Sequence, residues 1–191
     1  MPATPNYFDE SKFSGFDPRE GFFAEKALKG HYNGAAKIHM IWAEATDSPE
    51  DGQIKTKFAE NWKNWRACLD AAKTKIQKTA FHTLLRKPDD FLGFIYEIPK
   101  ETLIPYFQSY QAFLWNKTLK KLLETDPPQE FMASLKIPLL SQKTRMPDKI
   151  LEKIWQEILQ EEKIEPAMFY RTKFKKIIFL PGERAALKYQ D

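Results

Sequence analysis

The stretch from Glu101 to about Glu124 places Leu103, Phe107, Tyr110 and Leu114 at three- and four-residue spacing, and Leu119 and Leu122 extend the same face. That rhythm belongs to one side of a 3.6-residue helix, so the spacing predicts a long helix stopped by Thr125-Asp126-Pro127-Pro128. Ile150, Leu151, Ile154, Trp155, Ile158 and Leu159 repeat the pattern from Met146-Pro147-Asp148 to Glu162. Two such helices must bury their apolar stripes against other parts of the chain. With 42% hydrophobic and 29% charged residues, the 191-residue chain has the material for a core of one domain, or one domain and an appendage.

Weaker periodicity predicts helices over Glu20 to Lys29 and Tyr32 to Ala45, split by Gly30, and over Ile54 to about Gln77, with Phe58, Trp62, Trp65 and Leu69 on one stripe. Asp47 to Gly52, with Pro49, reads as a loop. After the break at Lys87-Pro88, Asp89 or Asp90 is available to cap a short helix through Phe91, Phe94 and Ile95. Pro2 to Pro18 reads as an irregular, tightly turned strip. Past Pro166, Met168-Phe169-Tyr170 and Phe174 to Leu180 favour short strands, with a turn at Pro181-Gly182. The expected class is α+β, predominantly helical with short strands near the C-terminus.

The net charge of +4 is unevenly spread. From Lys163 to Asp191 there are seven basic residues and three acidic ones, so the first 162 residues are balanced and the tail carries the excess. Cys68 is the one cysteine, which excludes an intrachain disulfide and a cysteine zinc knuckle and fits a reducing compartment. No window approaches the ~18 uninterrupted apolar residues of a spanning helix, and the opening lacks the pattern of a signal peptide. A soluble, cytoplasmic protein without a membrane partner is expected. Gly-rich phosphate loops, His-Glu-x-x-His and Gly-x-Ser-x-Gly are absent, and His31, His39 and His82 are not spaced as metal ligands on one helix face.

Two stretches go beyond amphipathic packing: Pro5-Asn6-Tyr7-Phe8-Asp9-Glu10-Ser11-Lys12-Phe13 and Ser109-Tyr110-Gln111-Ala112-Phe113-Leu114-Trp115-Asn116. The first resembles the Pro-Asn-Tyr-Phe-Gly-x-Gln-Arg-Phe-Gly strip of the tRNA pseudouridine synthase D (TruD) family. The second is similar to that family's Ser-Tyr-Gln-Ser-Tyr-Leu-Phe-Asn helix. Ala27-Leu28-Lys29-Gly30, Ile98-Pro99-Lys100, Ile137-Pro138-Leu139-Leu140 and Pro181-Gly182-Glu183-Arg184-Ala185 match further family segments in the same order, the last two loosely.

The resemblance implies an α/β catalytic domain interrupted by an α+β insertion, the TRUD domain. It also implies isomerisation of uridine in tRNA with no cofactor and no metal. The target uridine must leave its stack, so its pocket needs an aromatic face and a polar edge group. By the resemblance Phe8 supplies the face and Asn6 the polar contact. Lys12, Phe13, Gln111 and Asn116, with Lys173, Lys175, Lys176 and Arg184 of the basic tail, complete the implied uracil pocket and RNA-binding surface.

The family's catalytic aspartate lies in a Lys-Asp-Arg-x-Ala-x-Thr strip ahead of the Asn-Tyr-Phe strip, and no Lys-Asp-Arg run occurs in this sequence. Lys12 also stands where the family has a bidentate Arg. Residues 1–30 are therefore expected to be a lead-in from the catalytic domain and 31–191 a TRUD-like insertion. No catalytic residue is expected within the chain, which would be incomplete and inactive alone and would take a companion chain carrying the aspartate. Two other readings fit the same residues: a non-catalytic RNA-binding module, and a protein-interaction domain whose basic tail is a solvated strand face.

Overall fold

A computed structural model describes residues 3–44 and 47–189. Pro2 of the expected strip, Ala45 at the end of an expected helix and Asp191 of the basic tail lie outside the described residues. The chain divides into two compact units. One, here the helical unit, comprises residues 14–107 and 172–177; the other, the ribbon unit, comprises residues up to Phe13, 108–171 and those from Ile178 onward.

The chain starts in the ribbon unit with β1 (Ala3–Pro5) and a 3-10 turn at Glu10–Lys12. It then enters the helical unit through a hairpin of β2 (Phe16–Asp17) and β3 (Gly21–Phe22), in which Phe16 and Phe22 are paired with ring centroids 4.5 Å apart. Next come α1 (Phe23–Leu28) and α2 (Tyr32–Ile41), split as expected at Gly30, whose φ of 78° is a left-handed conformation that glycine adopts without a Cβ clash.

The expected loop at Asp47 to Gly52 is instead the start of α3 (Pro49–Glu60). Ser48 and Asp51 form a reciprocal capping box, and Pro49 sits at the first helical position, where a backbone N–H has no intrahelical partner to lose. The single helix expected over Ile54 to Gln77 is three: α3, α4 (Trp65–Ala71) and α5 (Lys75–Arg86). Lys63 turns the chain with a φ of 83°, Asn64 caps α4, and Thr74 with Gln77 caps α5. The aromatic stripe nevertheless stays continuous in space. Phe81 lies 4.8 Å from Phe58 and 5.6 Å from Phe94 of α6 (Phe91–Tyr96), centroid to centroid. Of the two capping candidates for α6, Asp90 is the one used, accepting from Gly93 N at 2.9 Å.

Among the glycines of this unit, Gly15 has the least room for a side chain. Its φ is +62°, and a Cβ there would fall 2.5 Å from the ring of Tyr106. Gly15→Ala is expected to lower unfolding stability by about 1–3 kcal/mol, from backbone strain and a rigid aromatic neighbour together. Urea unfolding followed by circular dichroism checks this; a change under about 0.5 kcal/mol would count against the close approach.

The long helix is α7 (Lys100–Glu124), one residue from its expected start. Its first eight residues lie in the helical unit and the rest in the ribbon unit. Leu103, Phe107, Tyr110, Leu114, Leu119 and Leu122 are all fully buried, so the stripe read from the sequence is the buried face. Asp126, at a φ of 50°, and the prolines behind it end the helix. The ribbon unit continues with α8 (Gln129–Ser134), β4 (Lys136–Pro138) and α9 (Lys149–Glu161), which Asp148 caps by accepting from Ile150 N and Leu151 N. Lys117 and Lys121 on α7 reach Glu157, Glu161 and Glu162 at 2.6–3.3 Å, tying α7 to α9.

Met168 to Tyr170, expected as strand, belongs to α10 (Met168–Arg171), and residues 174–180 form no regular element. The strands come later, as β5 (Glu183–Ala185) and β6 (Leu187–Tyr189). β5 pairs antiparallel with β4, and β6 pairs antiparallel with β1. Ala186 joins the two ladders by donating to Leu135 C=O and accepting from Asn6 N, both at 2.9 Å. The architecture is α+β and predominantly helical, with three two-stranded antiparallel ribbons among the described residues. No helix among them is long and apolar enough to cross a membrane.

Candidate functional site

The strip from Asn6 to Glu10 leaves β1 and passes α7 and β5 within the ribbon unit, where several predicted residues converge. Arg184 on β5 donates from Nε to Asn6 C=O at 2.8 Å, and from Nη2 to Asn6 Oδ1 at 2.7 Å and Tyr7 C=O at 3.2 Å. Its Cζ lies 4.0 Å from the centroid of the Phe8 ring and 5.7 Å from that of Trp115. A planar cation over an aromatic face is worth about 0.5–2 kcal/mol. Phe8 and Trp115 meet edge to face at 5.4 Å. Burial lowers the pKa of the Arg184 guanidinium.

Asn116 holds the Phe8 peptide groups on both sides. Its Oδ1 accepts from Phe8 N at 2.8 Å, and its Nδ2 donates to Phe8 C=O at 3.0 Å and to Glu10 Oε1 at 3.3 Å. Its neighbour Trp115 is 1% exposed and donates Nε1–H to Ile137 C=O at 3.0 Å. Beside this cluster lies a cleft of about 560 Å³ lined by Tyr7, Phe8, Phe113, Asn116, Lys117 and Lys120, with Asp9 and Glu10 also in its lining. Hydrogen bonds from Ser11 hold the Asp9 carboxyl below the usual carboxylate range. Among the described residues no three His, Cys, Asp or Glu side chains are grouped to hold a metal ion.

The other predicted site residues lie elsewhere. Lys12 is exposed on the 3-10 turn, 3.7 Å from Asp9, and Phe13 closes that turn by donating its N–H to Glu10 C=O. Gln111 is buried and donates to the carbonyls of Leu140 and Leu180, bridging two loops of the ribbon unit. Lys173, Lys175 and Lys176 belong to the helical unit. There the Lys173 and Lys175 backbones bond the hydroxyls of Tyr32 and Tyr96, and the Lys176 ammonium is taken by the carbonyls of Tyr96 and Ile98. Trp115 and Lys120 were not singled out in the sequence. Trp115 had a signal, since it stands inside the helix motif where the family has Phe; Lys120 had none beyond following it.

The fold and the cluster around Phe8 together define an α+β chain that presents a pinned aromatic ring beside a cleft containing lysines. The chain belongs to the tRNA pseudouridine synthase D (TruD) family, whose model matches residues 1–132. A protein of Methanococcus maripaludis named "Probable tRNA pseudouridine synthase D 1" is 29% identical over 133 residues, which is 67% of this chain and 34% of that protein. The tRNA pseudouridine synthase D of Aquifex aeolicus is 24% identical over 206 residues, covering 95% of this chain and 51% of its own length. A crystal structure from Methanosarcina mazei, described as that of the "Putative tRNA pseudouridine synthase D (TruD)", shares the fold with a TM-score of 0.71 at 16% identity, over 95% of this chain and 51% of that one. The chain thus spans between about a third and a half of the curated relatives it matches.

Proposed function

We propose that this chain supplies the base-stacking part of a TruD-type tRNA pseudouridine synthase. Phe8 is the platform for the extruded uracil, and Lys120, exposed in the lining of the same cleft, is the cation that meets the RNA backbone, Lys117 being paired with Glu161 and Glu162. The observation that carries this reading is the convergence of Asn6, Asn116 and Arg184, from three separate stretches of the chain, on the Phe8 ring beside one cleft. An aromatic platform of this kind stacks a base for about 1–3 kcal/mol.

The isomerisation breaks the glycosidic bond to N1 and forms a bond to C5 in the same nucleotide. The C5 proton leaves and N1 gains one, so the step needs no redox cofactor. It does need a carboxylate at the ribose. Asp9 is committed to Ser11, and Glu10 receives a bond from Asn116. In this reading the carboxylate comes from a companion segment carrying the Lys-Asp-Arg strip, with residues 1–30 the lead-in and 31–191 the insertion. The protein acts in the cytoplasm.

The test mixes the purified chain with such a companion and assays pseudouridine in tRNA. Conversion by the pair and none by the chain alone is expected. No conversion by the pair would count against the synthase reading, and salt-sensitive tRNA binding without turnover would then favour the RNA-binding module. Conversion by the chain alone would overturn the need for a companion.

A further inference from the structure

We infer that Asn116 and Arg184 are positioning residues, which set the place and the tilt of the Phe8 ring rather than reading the base themselves. The bond inventory of Asn116 supports this first. A carboxamide offers one oxygen and two N–H donors, and here the oxygen is on Phe8 N while the donors are on Phe8 C=O and Glu10. At 5% exposed, the amide has no donor left for a uracil edge.

Arg184 acts on the same ring from another side. Its fork fixes the Asn6 and Tyr7 peptide groups just ahead of Phe8, and its Cζ lies over one Phe8 face, 4.0 Å from the centroid, so a base can stack only on the other. The Asn6 side chain, read from the sequence as the uracil contact, is part of this latch. Its Oδ1 accepts from Arg184, and its Nδ2 donates to Ala185 C=O at 3.0 Å. Trp115, which meets Phe8 edge to face and is itself held by Ile137 C=O, limits the remaining rotation of the ring.

A stacking platform acts through its orientation, and a misplacement of about 1 Å in a reacting complex costs on the order of 100-fold in rate. Lysine at 184 keeps the charge and loses the planar fork, so Arg184→Lys separates the two roles. The effect on turnover rests on the synthase reading above, whereas the positioning does not.

The test therefore has two arms. In the chain alone, with phenylalanine rings labelled with carbon-13 and the Phe8 signals assigned through Phe8→Leu, Arg184→Lys and Asn116→Asp should each shift the Phe8 ring signals. The other ring signals should stay in place, with melting within about 2 °C of the parent. Phe8 signals unmoved in both variants would overturn the inference. In the chain paired with its companion, Arg184→Lys should lower kcat about 100-fold with the Kd for tRNA within about twofold. A raised Kd at unchanged kcat would make Arg184 an RNA contact and overturn its positioning role. If the parent pair makes no pseudouridine, the synthase reading fails while the ring signals still decide the positioning.

Discussion

Trp115→Ala is expected to cost the fold about 3–5 kcal/mol, and Trp115→Phe about 1–2 kcal/mol. The indole is almost wholly buried on α7, against Phe8 and under Arg184. Alanine leaves a cavity the size of a bicyclic ring, which close-packed neighbours fill only in part. It also strips the hydrogen bond from Ile137 C=O, a carbonyl of a fully buried residue. Phenylalanine keeps most of the packing and loses only the N–H and one ring, and the family's helix motif carries Phe at this place. Urea unfolding followed by circular dichroism separates the two contributions. A cost under about 1.5 kcal/mol for Trp115→Ala would show that the indole is not a packed element, and equal costs for both variants would place the whole effect in the N–H and the ring that phenylalanine lacks.

The contrast between Trp115 and its surroundings shows how far residue patterns reach. α7 and α9 were legible because a stripe at three- and four-residue spacing has one physical meaning when it is long and ends at Pro127 or begins behind Asp148. The stretch from Ile54 to Gln77 misled for a related reason. Phe58 and Trp65 face the same core across a corner, so the stripe continued while the backbone broke at Asn61 to Asn64. The caps that mark the breaks, Asn64 and the Thr74 to Gln77 box, are short signals that a continuous stripe outweighs. The opposite error occurred at Phe174 to Leu180, where β-prone residues found no strand partner. At the start of this stretch the backbone is held by the side chains of Tyr32, Tyr96 and Thr172, about 80 to 140 positions away or next door, which no local pattern records.

The candidate site divides along the same line. The motif residues Asn6, Phe8 and Asn116 could be picked out as chemically unusual, but their bonding could not. An asparagine amide suits a uracil edge as well as it suits a peptide group. Only the fold shows that the Asn116 amide is spent on the backbone of Phe8, more than a hundred residues away. Lys176 is a similar case. In sequence it is one of a run of basic residues; in the fold its ammonium takes the carbonyls at the end of α6, where a cation is favoured by the helix dipole.

Below pH 6.5 the helical unit is expected to lose stability through one residue, His39. Burial, and after it the nearby Lys55 charge, push its imidazole down from 6.5 to about 4. His39 Nδ1 lies 3.0 Å from the hydroxyl of Tyr106, the residue whose ring packs against Gly15. The carboxylates nearest this pair are already engaged: Glu44 accepts from Gly15 N, and Asp47 accepts from Glu44 N and pairs with Lys55 at 2.6 Å. Between pH 6.5 and 4 the unfolded chain protonates this histidine while the folded chain keeps it neutral. The associated stability is therefore complete above about pH 6.5 and drains as the pH falls through that window, by on the order of 3 kcal/mol at its end. At pH 5, above the ordinary range of the carboxylates, roughly 2 kcal/mol of it should already be gone. Melting curves of the parent and of His39→Gln at pH 7.5 and pH 5 isolate the effect, because the glutamine variant cannot titrate whatever its baseline stability. The parent should melt several degrees lower at pH 5, and the difference should shrink to a minor fraction in the variant. An undiminished difference in His39→Gln would mean that the acid sensitivity comes from the carboxylates around Gly15 and Lys55 and that the imidazole is solvated in the folded chain.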